Sequence, residues 1–251
     1  MFPESGHTVV AMTDLAGASV LVLGATGGLG REFARQLAAE GAHLTLTGRS
    51  MLALDDLDID GAALIPADLD DTDAARNLVA AALTAHGRLD GVINAAGVVA
   101  FGALTDTTDE TFETLWRINV MAPLRVLRAA APSLAESATA GGSPFVVSLS
   151  GVVSETPTAG IGAYSAVKAA VAAAHQVAAR ELRRSGIRVI DARPGHTETE
   201  LSHHPVAGER PAFPVGYEPA AVVTRILDAV RNDEKDLPSS AFQGLPTAQT
   251  A

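Results

Sequence analysis

The chain contains no cysteine, which excludes disulfide frameworks, cysteine-ligated zinc, iron–sulfur clusters and a thiol nucleophile. Aromatic residues make up only 4% of it, so packing has to rest on aliphatic side chains and alanine. Basic side chains are in the minority, 18 against 29 acidic ones. The resulting formal charge of −11 argues against a nucleic-acid partner, which calls for a basic footprint. Long apolar runs are missing as well; glycine or charge interrupts every hydrophobic stretch before it reaches the span of a bilayer. Residues 1–18 include Glu4 and Asp14 and lack both a basic start and a sustained apolar segment, so no secretory leader is expected. These absences predict a soluble, cytoplasmic protein without a membrane or nucleic-acid partner. They leave phosphate-bearing small ligands open, because backbone N–H groups hold phosphate even in an acidic protein. No metal is assigned: the adjacent pair His203-His204 has no further ligands at a metal-binding spacing.

What is present is glycine, 23 residues of it, in a chain of 251 that is 47% hydrophobic. Ser19-Val20-Leu21-Val22-Leu23 reads as a strand buried on both faces. Gly24-Ala25-Thr26-Gly27-Gly28-Leu29-Gly30 follows it, then a helix over Arg31–Glu40 closed by Gly41, then a second strand, His43–Thr47. Further strands are expected at Ala62–Pro66, Leu89–Ile93, Phe145–Leu149 and Ile187–Ile190. Helices are expected at Asp71–Ala85, Asp106–Ser137 (where Pro123 either divides the run or sits near a helix start, which tolerates it), Tyr164–Arg184 and Glu218–Arg231. Short buried strands alternating with longer helices predict a doubly wound α/β Rossmann fold, a central parallel sheet flanked by helices. No repeat or linker divides the chain. A single domain over 1–251 is expected, with an N-terminal extension at 1–18, an irregular substrate loop at 197–217 and a polar tail at 243–251.

The glycines lie between a strand and a helix, where a tight turn and a close backbone approach bring phosphate to unpaired helix N–H groups. Their spacing, Gly24-x-x-x-Gly28-x-Gly30, differs from the usual Gly-x-Gly-x-x-Gly fingerprint. From about Ser19 through Thr197 the chain resembles the classical short-chain dehydrogenase/reductase family, which has this glycine pattern. Leu23 replaces the family's threonine before the first glycine, and Asn94-Ala95-Ala96-Gly97 looks like its Asn-Asn-Ala-Gly element. The resemblance implies that Gly24, Thr26, Gly28, Leu29 and Gly30 line the phosphate turn. It places Asp68 and the Leu69 backbone at the adenine, and Asn94, Ala95 and Gly97 on the nicotinamide side. Pro194-Gly195 ends the sixth strand, and Thr197 resembles the residue that holds the nicotinamide carboxamide.

NAD-selective sites commonly carry a carboxylate at the end of the second strand to bind the ribose hydroxyls. Here Gly48-Arg49 stands in its place, with nothing to repel a 2′-phosphate and a guanidinium able to bind one. NADP(H) is therefore the expected cofactor and NAD(H) the alternative; Thr26 sits where many NADP-using relatives have a small hydroxyl residue.

Tyr164 and Lys168 are four residues apart and share a helical face. Hydride exchange with a carbonyl or alcohol needs a proton donor and acceptor, and a nearby ammonium favours tyrosinate. By resemblance Lys168 also holds the nicotinamide ribose, and Asn119 is the catalytic asparagine whose amide binds a relay water. One family group is missing. Thirteen residues before Tyr164, where a substrate-orienting serine belongs, stands Gly151. Ser150 is the candidate replacement and Ser154 a second one, although adjacent strand residues face opposite ways unless the backbone bends. A serine installed at Gly151 is expected to raise activity on small carbonyls.

The glycine-rich ending that packs across the family's tetramers is not recognisable. Leu237–Phe242 is expected as a short edge strand, and a homodimer through the alanine-rich helices is expected ahead of a tetramer. The function implied is an NADP(H)-dependent oxidoreductase acting on a small-molecule carbonyl or alcohol substrate. The alternatives are a catalytically weakened NADP(H)-binding regulatory or scaffold protein, suggested by Gly151, and a sugar-nucleotide epimerase or dehydratase, disfavoured by the short carboxyl region.

Overall fold

The computed structural model describes residues 13–248; the rest of the expected N-terminal extension and the last three residues of the expected tail lie outside the described residues. Six strands, β1 Ser19–Leu23, β2 His43–Gly48, β3 Ala63–Pro66, β4 Gly91–Asn94, β5 Phe145–Leu149 and β6 Arg188–Ala192, form one sheet. Its order is β3-β2-β1-β4-β5-β6 and every pairing is parallel. The chain crosses from one half of the sheet to the other between β1 and β4, which makes a crevice at their carboxyl ends.

The helices α1 Gly28–Ala39, α2 Met51–Asp55, α3 Ala74–His86, α4 Asp109–Trp116, α5 Ala122–Thr139, α6 Gly162–Leu182 and α7 Pro219–Arg231 are built around two large buried cores, with a smaller one between α4 and the first half of α6. The period of two in β1 sets them: Val20 and Val22 join Phe33, Leu37, Val223 and Ile226 on the α1–α7 face, while Leu21 and Leu23 join Leu78, Val126, Leu134 and Ala178 on the α3–α5–α6 face. Few aromatics are needed because both faces are filled by aliphatic side chains and alanine. No helix among the described residues is long and apolar enough to cross a membrane.

Four local expectations change or are settled. The helix α2, N-capped by the Ser50 hydroxyl on the Ala53 N–H, is too short for a periodic signal. Of the two places expected for Pro123, the structure has the helix start and not the division. The proline sits in the first turn of α5, where no N–H is required, and α4 runs into α5 through one wide π-helical turn at Arg117–Met121. The segment Leu237–Phe242 is not an edge strand: Leu237 makes a single parallel bridge to Ala192, and Ser239–Phe242 coil into one tight turn, as Pro238 dictates. The tail is not a free polar end either. Phe242 is fully buried, Leu245 packs on the α1–α7 core, and the Ala248 N–H donates to the Gly216 carbonyl.

The junction of β1 with α1 is the tightest place in the fold. Gly24 adopts φ +69°, and a Cβ there would meet the Ala96 backbone at 2.7 Å; a Cβ at Gly30 would overlap the Gly24 carbonyl. Gly30→Ala is therefore expected to cost about 1–3 kcal/mol, read as a lower urea midpoint with an unchanged slope. A wild-type midpoint would show that this crossing is not close-packed.

Candidate active site

The cradle forms where β1 turns into α1. The Arg31 N–H is the first to bond back into the helix, to Gly27, so the N–H groups of Gly28, Leu29 and Gly30 are unpaired within it. The first turn carries no acidic side chain. Opposite it, the Thr26 side chain lies 2.9 Å from where a Cβ at Gly48 would be, so a larger residue at the end of the second strand would have to displace it. Arg49, next in line, is exposed and makes no ion pair among the described residues. Asp68 is exposed at the end of β3, its carboxylate accepting the Asp70 N–H, with Leu69 half-buried beside it. Asn94 is buried at the end of β4 with no partner for Oδ1, and the Ala95 N–H is tied to Leu23. Unpaired helix N–H groups, an anion-free first turn and a groove no Cβ could share fit a dinucleotide pyrophosphate.

The second cluster lies at the carboxyl ends of β4, β5 and β6. Tyr164, in the first turn of α6, packs its ring between two small apolar groups, one of them Val99, Phe101 and Ile161 with Val153 and Phe213. Burial pushes its phenol above the ordinary tyrosine value, so the hydroxyl stays protonated at neutral pH. One turn on, Lys168 is only 7% exposed, its Nζ 5.5 Å from the Tyr164 ring centre and donating to the Leu149 carbonyl at 2.7 Å. Burial lowers the ammonium to about 8, against the upward pull of the Asp191 carboxylate. Gly97 marks where the groups converge: a Cβ there would lie 2.9 Å from Asn119 Oδ1 and 3.9 Å from Lys168 Nζ.

Asn119 sits in the π-helical turn, which directs its side chain inward. The amide closes on itself structurally. Nδ2 donates to the carbonyls of Val98 and Leu115 at 3.0 and 2.9 Å, and Oδ1 accepts the Val98 N–H at 3.3 Å. One amide donor is thus occupied in pinning the loop after β4 and the other in bonding back to the preceding helical turn, so the expected relay through the amide has no free donor.

The end of β5 also differs from expectation. Gly151 has φ +73° and ψ 164°, a region essentially restricted to glycine, so the residue is there for its backbone. Ser150 is fully buried, and its hydroxyl donates to Asp191 Oδ2 at 2.7 Å. The Ser154 hydroxyl lies 2.7 Å from the Gly151 carbonyl and 3.1 Å from Ser150 Oγ. Beyond β6, the Pro194 carbonyl accepts the Val152 N–H, Gly195 packs against the Tyr217 ring, and Thr197 bridges to Tyr217 while its hydroxyl donates to the Gly195 carbonyl.

The profile of the short chain dehydrogenase family matches residues 18–209. The chain belongs to that family of nicotinamide-dependent oxidoreductases. Its sequence is 34% identical over 201 residues to an uncharacterized oxidoreductase of Methylorubrum extorquens, covering 76% of this chain and 78% of that one. Over 175 residues it is 38% identical to an uncharacterized oxidoreductase of Mycobacterium tuberculosis, covering 68% and 64%. A solved short-chain dehydrogenase from Streptomyces avermitilis superposes with a TM-score of 0.77 at 29% identity, covering 89% and 90%.

Within the short-chain dehydrogenase frame, three sets of contacts escaped sequence reasoning, although His196 and Phe213 themselves stand out in the sequence as loop residues near the substrate. Thr199 closes over the cradle, its Cγ2 2.5 Å from where a Cβ of Gly28 would be; nothing in one sequence brings those two loops together. His196 stacks on Phe213 with ring centres 4.7 Å apart, burial lowering its imidazole against the attraction of Glu198. Asp191 and Arg193 were legible in principle, as two charges in an otherwise apolar strand ending. The Gly151 backbone reverses the expectation for a serine there: Gly151→Ser should lower stability by about 1–3 kcal/mol without raising turnover. A variant both as stable as the wild type and more active would contradict that.

Proposed function

We propose that this short-chain dehydrogenase transfers hydride between NADP(H) and a small-molecule carbonyl or alcohol, with Tyr164 as the acid/base. The observation that carries the reading is the convergence of Tyr164 and Lys168 at the carboxyl edge of the sheet, in the same crevice as a glycine cradle with unpaired N–H groups. When bound, the dinucleotide would supply the hydride acceptor or donor. The N–H groups of Gly28, Leu29 and Gly30 would hold its pyrophosphate, with Gly24 and Thr26 shaping the turn and Thr199 closing it. Arg49 would take the 2′-phosphate, Asp68 and Leu69 the adenine, Asn94, Ala95 and Gly97 the nicotinamide side, and Pro194, Gly195 and Thr197 the carboxamide.

The chain's own residues then divide the work. A phenol kept protonated by burial is poised to donate to a carbonyl oxygen as charge develops on it. The Lys168 ammonium holds the ribose and lowers the cost of tyrosinate once the proton has left. Asn119 fixes Val98 at the nicotinamide edge. The apolar wall of Val99, Phe101, Ile161 and Phe213 around the Tyr164 ring suits a substrate with a hydrophobic carbonyl substituent. A cytoplasmic homodimer through α5 and α6, with a tetramer as the alternative, belongs to the same reading.

A second reading, an NADP(H)-binding protein with weakened catalysis, draws on one observation: the Ser150 hydroxyl is engaged by Asp191 and Gly151 has none to offer. Turnover separates the two. Tyr164→Phe should lose at least about a hundredfold in NADPH-dependent reduction of a panel of aldehydes and ketones, with NADPH affinity changed little. Undiminished turnover in that variant overturns the assignment, and tight NADPH binding by a wild type inert across the panel favours the second reading. Arg49→Glu should weaken NADPH binding by roughly tenfold to a hundredfold and leave NADH binding nearly unchanged; equal losses for both would remove Arg49 from the 2′-phosphate.

A further inference from the structure

The wide turn between α4 and α5 holds loops on both sides of the crevice, through two residues that point in nearly opposite directions. Asn119, directed inward, pins Val98 in the loop after β4. Arg117, directed outward, reaches the loop after β3: its Nε donates to the Asp70 carboxylate at 3.0 Å. Arg125, at the start of α5, adds a contact from Nη1 to the Asp70 carbonyl at 3.4 Å. Two guanidinium groups from one helical run thus grip a single residue. The other carboxylate near Arg117, Glu113 on its own helix, is farther away at 3.7 Å and leads to no loop.

The gripped loop has little support of its own. β3 is an edge of the sheet, paired with β2 alone, four residues long and without one fully buried side chain. The last bond to β2 is made by the Ala67 N–H to the Gly48 carbonyl. After it the chain turns: the Asp71 N–H donates to the Asp68 carbonyl at 3.1 Å, and the Asp70 N–H donates to Asp68 Oδ1 at 3.0 Å. The Asp68 carboxylate has no other hydrogen-bond partner among the described residues. Arg117 to Asp70, then Asp70 to Asp68, is therefore an unbroken path from the wide turn to the carboxylate assigned to the adenine. Both side chains of the Arg117–Asp70 pair are half-exposed, and such a pair adds little to folding stability. What it fixes is the place of Asp70, and with it that of Asp68.

We propose that Arg117 is a positioning residue for the cofactor: through Asp70 it holds Asp68 at the adenine, while Asn119, two residues on, holds the nicotinamide-side loop, so that one helical turn sets the spacing of the two loops. The proposal rests on reading Asp68 as the adenine residue, and its test tells the two apart. Charge alone and positioning give opposite signs at Asp70. It is one of three carboxylates, with Asp68 and Asp71, beside the place where the proposed function seats a polyanion. If only charge counted, removing the Asp70 carboxylate would tighten binding. If Asp70 transmits the hold of Arg117, removing it weakens binding.

The probe is adenosine 2′,5′-bisphosphate, the adenine half of NADP(H), titrated calorimetrically into the full-length protein. Arg117→Gln and Asp70→Ala should each weaken its binding by roughly threefold to tenfold. Asp70→Asn, which loses the charge but keeps an acceptor for Arg117 Nε, should recover part of that loss. Asp68→Ala should itself bind the probe less tightly, and in that background neither Arg117→Gln nor Asp70→Ala should weaken it further. A side chain that merely stiffened the protein would add its own loss to that of Asp68→Ala. Unchanged or tighter binding in Arg117→Gln or Asp70→Ala, an Asp70→Asn no better than Asp70→Ala, or full additivity with Asp68→Ala overturns the proposal while a weakened Asp68→Ala leaves the adenine assignment standing. Wild-type affinity in Asp68→Ala removes the adenine assignment, and the proposal with it.

Discussion

An ammonium group taken out of water at the end of a parallel sheet has to be balanced from inside the protein, and the immediate surroundings of Lys168 answer that requirement. Lys168 is placed by α6, buried, and tethered to the last carbonyl of β5. Burial pulls the lysine toward its neutral form and Asp191 pulls it back, leaving it near 8. The same burial keeps the Tyr164 phenol protonated. A proton donor and a marginal cation side by side suit proton transfer to a carbonyl in a way that two exposed side chains would not.

The phosphate end of the crevice works by a different constraint, steric closeness. At Gly24 and Gly30 the turn between β1 and α1 leaves no room for a side chain against the Ala96 backbone or the turn itself, and at Gly48 a larger residue would have to displace the Thr26 side chain. What remains is a set of helix N–H groups, those of Gly28, Leu29 and Gly30, without a partner in the helix, an arrangement that suits an anion. This explains how a chain of net charge −11 accommodates a cofactor that is itself an anion. The two ends are joined by the sheet's crossover between β1 and β4, so cradle and reacting pair are set by one backbone feature.

The strand order, the two helical layers and the cradle were readable from the sequence, because buried parallel strands and glycine turns leave local patterns. Tyr164 and Lys168 were readable for the same reason, as neighbours on one helix. Residues whose meaning is set by partners far along the chain were not. Ser150 looks like a free hydroxyl in sequence and is a ligand of Asp191, forty-one residues away, in space. Gly151 looks like a lost serine and is a left-handed backbone position. Asn119 reads as a relay amide, yet both donors of that amide hold backbone carbonyls. Thr199 and the packed tail after Phe242 leave no local signature at all.

The central claim, that cradle and reacting pair serve one nicotinamide dinucleotide, is tested most directly by a crystal structure of the protein with NADPH. The pyrophosphate should lie on the N–H groups of Gly28 to Gly30, the 2′-phosphate against Arg49, and the nicotinamide ribose on Lys168 beside the Tyr164 hydroxyl. A dinucleotide bound away from Lys168, or absent from the cradle at saturating NADPH, would contradict the account.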